Sequence, residues 1–143
     1  MGDPVDVVVG DLSFISLRLV LDPIFAVVRP GGAYVLLVKP QFEAGRAEAD
    51  RGRGIITDPA VWRRVLDEVT GALVGRNATI MGAMASPLTG ADGNVEFVVV
   101  GRAPGAGVAP SLAGRAPLTG AALTEHLDHA VAEALAAQAV GRA

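Results

Sequence analysis

The chain has no cysteine, so neither a disulfide framework nor a thiolate metal site can hold it together. Aromatic residues make up only 4%, which leaves aliphatic side chains to build a core. No run of about 18 uncharged apolar residues occurs, which argues against a membrane-spanning helix and against a membrane as partner. No basic-then-apolar export pattern stands at the amino terminus, so a cytoplasmic location is expected. A large excess of one charge is also missing: twelve bases face fifteen acids, for a net charge of −3. That excludes a whole-surface polycation for nucleic acid, though not a local patch. Lysine is almost absent. Lys39 is the single lysine, and the other eleven bases are arginine.

What is present is a chain of 143 residues, 51% hydrophobic and 19% charged. That is one domain or part of one, apolar enough to bury a core, and global disorder is excluded. Residues 39–64 hold six bases and four acids, so this stretch is +2 and the remainder −5. An anionic partner is therefore best met there.

Val5 to Val9 is a β-branched run that reads as a buried parallel strand. A helical stretch follows from about Leu17 to Val28, with Asp22 and Pro23 as a cap and first-turn signal. Pro30-Gly31-Gly32 reads as its stop, not as a phosphate cradle, because no strand precedes it. Ala33 to Val38 reads as a second strand ending at Lys39-Pro40. Gln41 to Gly54 is polar and aperiodic and reads as a mobile loop.

Asp58-Pro59 repeats the cap signal. Val61, Trp62, Val65, Leu66, Val69 and Leu73 then mark one helical face, with Trp62 assigned to the core. Ala78–Met84 and Val95–Val100 read as strands that could pair antiparallel across the turn-rich Ser86–Asn94. Residues 103–117 read as an Ala/Gly/Pro-rich linker. Residues 118–143 hold a last helix with Leu123, Leu127, Ala130, Val131, Ala134 and Leu135 on one face, able to dock on the sheet or on a second copy. His126 and His129 lie three apart on it and lack the further ligands that a metal site needs.

The alternation of strands and helices predicts an α/β fold: a parallel sheet with one antiparallel strand at its edge. Open parallel sheets place ligands at the carboxyl ends of their strands. Asp11 and Lys39 fall at such ends. Glu96, at the start of an antiparallel strand, falls at the same rim. Each has an ordinary structural reading when taken alone. A lysine after an apolar strand is usually a solvated strand end. Asp11 fits a turn or a helix cap, and Glu96 fits a charge that blocks pairing at an edge strand. The arginines Arg46, Arg51 and Arg53 suit either a phosphate contact or a solvated loop, since Glu48 and Asp50 intervene.

Five segments in order carry a resemblance: Gly10–Leu17, Val38–Arg46, Gly54–Asp58, Ser86–Gly90 and Gly93–Phe97. Together they resemble the TlyA (hemolysin A) family of FtsJ-like ribosomal RNA 2′-O-methyltransferases. The resemblance covers about residues 5–102 and implies the carboxyl-terminal half of a Rossmann-like methyltransferase sheet, with residues 1–102 as a partial domain. It implies a Lys-Asp-Lys-Glu tetrad, of which Asp11, Lys39 and Glu96 match the last three members. The first lysine, a glycine-rich cofactor loop and an RNA-binding domain belong to segments that would precede Met1.

The implied cofactor is S-adenosyl-L-methionine, with Asp11, Ser13 and Phe14 as contacts. The implied partner is ribosomal RNA or a ribosomal subunit, with Arg46, Arg51 and Arg53 as contacts. Chemistry agrees with the carry-over. Methyl transfer to a ribose hydroxyl needs positioning and a base. An amine serves as base when burial or a neighbouring cation lowers its pKa, whereas arginine stays protonated. The fragment is expected to be inactive alone. The alternative is a non-catalytic module that contacts RNA or self-associates through an exposed strand edge.

Overall fold

The computed structural model describes residues 2–106 and 114–141. The first strand, β1, spans Val5–Gly10. Ser16 caps a 3₁₀ turn at Leu17–Leu19 by accepting from the Arg18 N–H. Helix α1, Leu21–Val27, follows with Val20 at its cap. The helix thus begins one residue before the expected cap. Asp22 lies within its first turn and its carboxylate instead pairs with Arg76 at 2.7 Å.

Strand β2 is longer than its sequence pattern, Val28–Val38. Pro30-Gly31-Gly32 does follow the end of the helix but belongs to this strand. The register slips between the pairs Val5–Val28 and Val7–Ala33, and Gly31 takes φ 73°. An irregularity of this kind is where proline and glycine are tolerated in a sheet. A Cβ on Gly32 would lie 2.9 Å from the carbonyls of Arg29 and Asp6.

The expected loop from Gln41 to Gly54 is instead two short helices, α2 at Pro40–Glu43 and α3 at Arg46–Arg51. Proline at the first turn of α2 and a buried glutamate at its end give it order that hydrophobic periodicity cannot report over so few residues. Helix α4, Pro59–Gly75, starts at Asp58 as its sequence signals, with the Asp58 carboxylate accepting from the Ala60 N–H. Strands β3, Thr79–Ala85, and β4, Phe97–Arg102, pair antiparallel. Helix α5 spans Gly120–Gly141. Of the expected linker, Ala103 is buried and its N–H donates to the Gly32 carbonyl; residues 107–113 lie outside the described residues.

The sheet order is β1-β2-β4-β3, with β1 parallel to β2 and β4 antiparallel to both of its neighbours. The antiparallel strand is therefore internal, not at the edge as expected. Placing β4 between β2 and β3 buries its Phe97 and Val99 completely. It also removes the reading of Glu96 as an edge-blocking charge, because β4 has no free edge.

One face of the sheet carries nearly all of the core. Tyr34, Leu36 and Val38 of β2 pack with Phe97 and Val99 of β4 and Ile80 of β3, beneath Leu21, Trp62, Leu66 and Leu127 from the helices. Trp62 is buried as expected, donates to the Ile56 carbonyl at 3.0 Å and meets Phe97 edge to face. Tyr34 donates to the Thr79 carbonyl at 2.8 Å, and burial raises its phenol above the ordinary value. Helix α5 docks on this assembly through Leu127, Ala130 and Ala134. Arg63 of α4 bonds Asp128 of α5 at 2.7 Å. Leu135, expected on the inner side, is half exposed: with alanines making the closest approach, the contact stripe is narrow.

On the opposite face the buried hydrophobic cluster among the described residues is small, Ala33 and Met81 with Val100 packed against them. Leu127→Ala removes a fully buried side chain under α5. It is expected to lower unfolding free energy by about 2–5 kcal/mol, read from the midpoint of urea denaturation.

Candidate functional site

The register between β1 and β2 sets the site. Gly10 pairs with Leu36 in the parallel ladder, so both strands end at one rim. Gly10 must lack a side chain there, since a Cβ would lie 2.7 Å from Leu36 Cδ2. Asp11 follows β1 and Lys39 follows β2. The Lys39 Nζ lies 2.5 Å from Asp11 Oδ1 and donates to Ser13 Oγ at 3.0 Å. Lys39 is 8% exposed, whereas the Asp11 side chain is 66% exposed. The pair thus joins a sheltered amine to a solvent-facing carboxylate.

Glu96 reaches the same rim from the other side. Val38 pairs with Phe97, so Glu96 and Lys39 stand opposite one another one step beyond the ladder. Glu96 is buried and accepts from Gln41 Nε2 at 3.4 Å. No ion pair within 4.0 Å joins it to Lys39 among the described residues. The structure therefore bonds Lys39 to Asp11 and Ser13, and sets Glu96 beside them on a different partner. Gln41 Oε1 is shielded and has no partner among the described residues.

The turn before Glu96 is built around that carboxylate. A Cβ on Gly90 would lie 2.0 Å from Glu96 Oε1. The Gly90 N–H donates to the Asn94 carbonyl at 2.8 Å. The buried Asn94 side chain accepts from the Ile56 N–H at 3.0 Å and donates to the Gly54 carbonyl at 2.8 Å. Two of the resemblance segments, Gly54–Asp58 and Gly93–Phe97, are thereby stitched together by one amide.

Sequence reasoning passed over Glu43. Its carboxylate is 4% exposed and accepts from Ser16 Oγ at 2.6 Å and from the Leu17 N–H at 2.7 Å, with Arg18 at 3.7 Å. It locks the segment after Asp11 to the helix after Lys39, which fixes the two site residues relative to each other. A signal existed: a carboxylate three residues after a proline that starts a helix, next to Phe42. Phe14 is 89% exposed, sits at φ 65°, and its ring centroid lies 5.1 Å from that of Phe42.

Arg46, Arg51 and Arg53 are exposed on and just after α3, and none forms an ion pair among the described residues. Arg46 and Arg51 line an open hollow of about 560 Å³ with Arg18 and Arg64, but Glu43, Glu48 and Glu68 line it too. Its charge is mixed. Arg64 donates to Glu48 through both terminal guanidinium nitrogens, Nη1 and Nη2. That hydrogen bonding, aided by the charges of Arg64 and Arg51, holds the Glu48 carboxyl below its ordinary value despite partial desolvation.

These features define a mixed α/β protein, with an amine and two carboxylates at the carboxyl rim of its parallel strands. The family model for FtsJ-like methyltransferases matches residues 1–103, and the chain belongs to that family. It is 42% identical over 97 residues to YqxC of Bacillus subtilis, covering 68% of this chain and 34% of YqxC. It is 40% identical over 97 residues to the 16S/23S rRNA (cytidine-2′-O)-methyltransferase TlyA of Mycobacterium tuberculosis, covering 68% of this chain and 36% of TlyA. A solved "putative hemolysin" of Streptococcus thermophilus superposes with TM-score 0.72 at 30% identity, over 93% of this chain and 45% of its own. A second from Lactococcus lactis gives TM-score 0.66 at 38% identity, over 70% and 47%. The chain spans about a third of the length of the curated relatives that it matches.

Arg64→Gln is expected to raise the Glu48 carboxyl toward the ordinary glutamate value, read by carbon-detected NMR titration. Because the folded value is depressed, this pair contributes stability above the ordinary value. The contribution fades as pH falls through the folded one.

Proposed function

We propose that the chain is the carboxyl-terminal half of an S-adenosylmethionine-dependent ribosomal RNA 2′-O-methyltransferase. The observation that carries this is the sheltered Lys39 amine held 2.5 Å from Asp11 at the ends of two parallel strands, with Glu96 opposite it. In this reading Lys39, in its neutral form, takes the proton of a ribose 2′-hydroxyl. Asp11 and Ser13 orient the amine, and Glu96, held by Gln41 and backed by Gly90, completes the polar wall. The arginines Arg46, Arg51 and Arg53 offer contacts to RNA phosphates beyond the rim.

S-adenosylmethionine supplies the methyl group when bound. The residues present fit one side of it. Phe14 presents an exposed ring of the kind on which an adenine packs, and Asp11 presents an exposed carboxylate next to it in the chain. Ser13 Oγ, by contrast, already accepts from Lys39. Among the described residues no glycine-rich turn at a strand end remains to hold the amino-acid end. The reading therefore has the chain incomplete as a catalyst, working only when joined to the rest of an FtsJ-like domain in the cytoplasm.

The competing reading is a non-catalytic module that self-associates or contacts RNA. The exposure of Val5, Val7 and Val9, at 44%, 48% and 71%, favours its self-association arm.

A methyl-transfer assay with tritiated S-adenosylmethionine and ribosomal RNA tests the leading reading. The chain alone is expected to transfer no label. Joined to the amino-terminal portion of YqxC it is expected to transfer label, and Lys39→Arg to reduce this by about 10²-fold or more, as loss of a general base does. Turnover by the chain alone, or full activity of the Lys39→Arg protein, would refute it.

A further inference from the structure

A second concavity lies at the same end of the sheet, outside the site described above. It is a hollow of about 380 Å³ where β3 ends and β4 begins, between the turn that joins them and the carboxyl-terminal part of α5. Asp11, Lys39, Gln41 and Glu96 do not line it. The size is that of a small-ligand pocket. Ile55, Leu88 and Val95 on one side, and Ala134 and Ala137 on α5, give it apolar walls. Thr57, Ser86, Thr89 and Gln138 add hydroxyls and an amide, groups that donate or accept as needed. Among the described residues Asp92 is the only ionisable one on its wall. Two links tie the hollow to the Lys39 site: the Ser86 N–H donates to the Glu96 carbonyl at 2.9 Å, and Val95 precedes Glu96 in the chain. One wall is α5, which lies beyond the residues 1–103 that the FtsJ-like model matches. That matched stretch alone does not make the hollow.

We propose that this hollow takes one unpaired nucleobase of the RNA substrate, from a nucleotide flanking the one whose ribose meets Lys39. The ring lies between Leu88 and the α5 alanines, and its edge bonds to Ser86 and Gln138. The proposal rests on the reading of the chain as part of a ribosomal RNA methyltransferase. Three observations select a base. The volume holds a ring system and is too small for a helix or a second copy. Apolar walls with neutral donors and acceptors match a flat heterocycle whose edge both donates and accepts, which is how splayed-out RNA bases are read. Asp92, with no cation beside it on the described wall, disfavours a phosphate, so the RNA backbone stays outside. Because α5 supplies one wall, a bound base also fastens that helix to the turn that delivers Glu96.

The test titrates the full chain with cytidine, uridine, adenosine and guanosine, read by methyl NMR of Leu88, Ala134 and Ala137. Saturable shifts are expected from at least one nucleoside, with a Kd on the order of 1–10 mM for so small a ligand, and none from ribose 5-phosphate. Ala137→Phe, at an exposed position that lines the hollow, is expected to abolish the shifts, and Gln138→Leu to weaken them, with circular dichroism and the urea midpoint unchanged. Ala136→Phe, exposed and off the wall of the hollow, is expected to change nothing. In the chain joined to the amino-terminal portion of YqxC, Ala137→Phe is expected to raise the KM for ribosomal RNA about tenfold at constant kcat, the mark of binding lost away from the reacting atoms. Three results overturn the proposal: no nucleoside shifts, an unchanged RNA KM in an active Ala137→Phe protein, or a raised KM for S-adenosylmethionine in place of RNA, which makes the occupant the cofactor's adenine. A joined protein that is inactive in every form refutes the methyltransferase reading, and the nucleoside titration then decides by itself whether the hollow takes a base.

Discussion

The parallel register of β1 against β2 is the constraint on which the rest depends. Shifting it by one residue would turn every β1 side chain to the opposite face. Val8 would leave the core, and Asp11 would leave Lys39. Gly10 permits the register by leaving room for Leu36 Cδ2, and the irregularity at Pro30–Gly32 absorbs the unequal lengths of the two strands. The ion pair at the rim is thus a product of backbone pairing several residues away. Glu43 then holds the two segments beyond the strands in place through Ser16 and the Leu17 N–H.

Glu96 is placed by a different device. Its strand runs opposite to β2, so its first residues meet the last residues of β2. The turn that delivers it is held by Gly90 and by the Asn94 amide, whose acceptor and donors are both used. Three groups that share a rim therefore have separate supports. A disturbance at Asn94 acts on Glu96 and on Ile56, whose carbonyl receives the Trp62 indole, before it reaches the Lys39–Asp11 pair.

Much of this was legible from residues. The β-branched run Val5–Val9, the Asp58-Pro59 cap and the six-residue apolar face of α4 each carry a strong local signal, and each element stands where its signal puts it, although the Val5–Val9 strand, read as buried, leaves Val5, Val7 and Val9 exposed. The rim residues were legible because three segments far apart in sequence each end an extended run on an ionisable group. The order of strands was less so. Nothing in the Phe97–Val100 run distinguishes an internal antiparallel strand from an edge one, since both faces are apolar in either place. The helices α2 and α3 escaped because four to six residues hold too few turns for a period. Their order comes from tertiary bonds, Ser16 to Glu43 for α2 and Arg64 to Glu48 for α3, that no local pattern reports. The FtsJ-like resemblance reached the family, and the match over residues 1–103 agrees with it.

Helix α5 is held differently from the rest. Its buried contacts are one leucine and two alanines, and its link to α4 is an exposed arginine–aspartate bond. Small side chains bury little area per turn, so this element can detach at far less cost than the sheet can open. The molecule is thereby layered in time as well as in space. Its last helix is the element placed to open first, while the strands that lead to Lys39 and Glu96 lie inside the core.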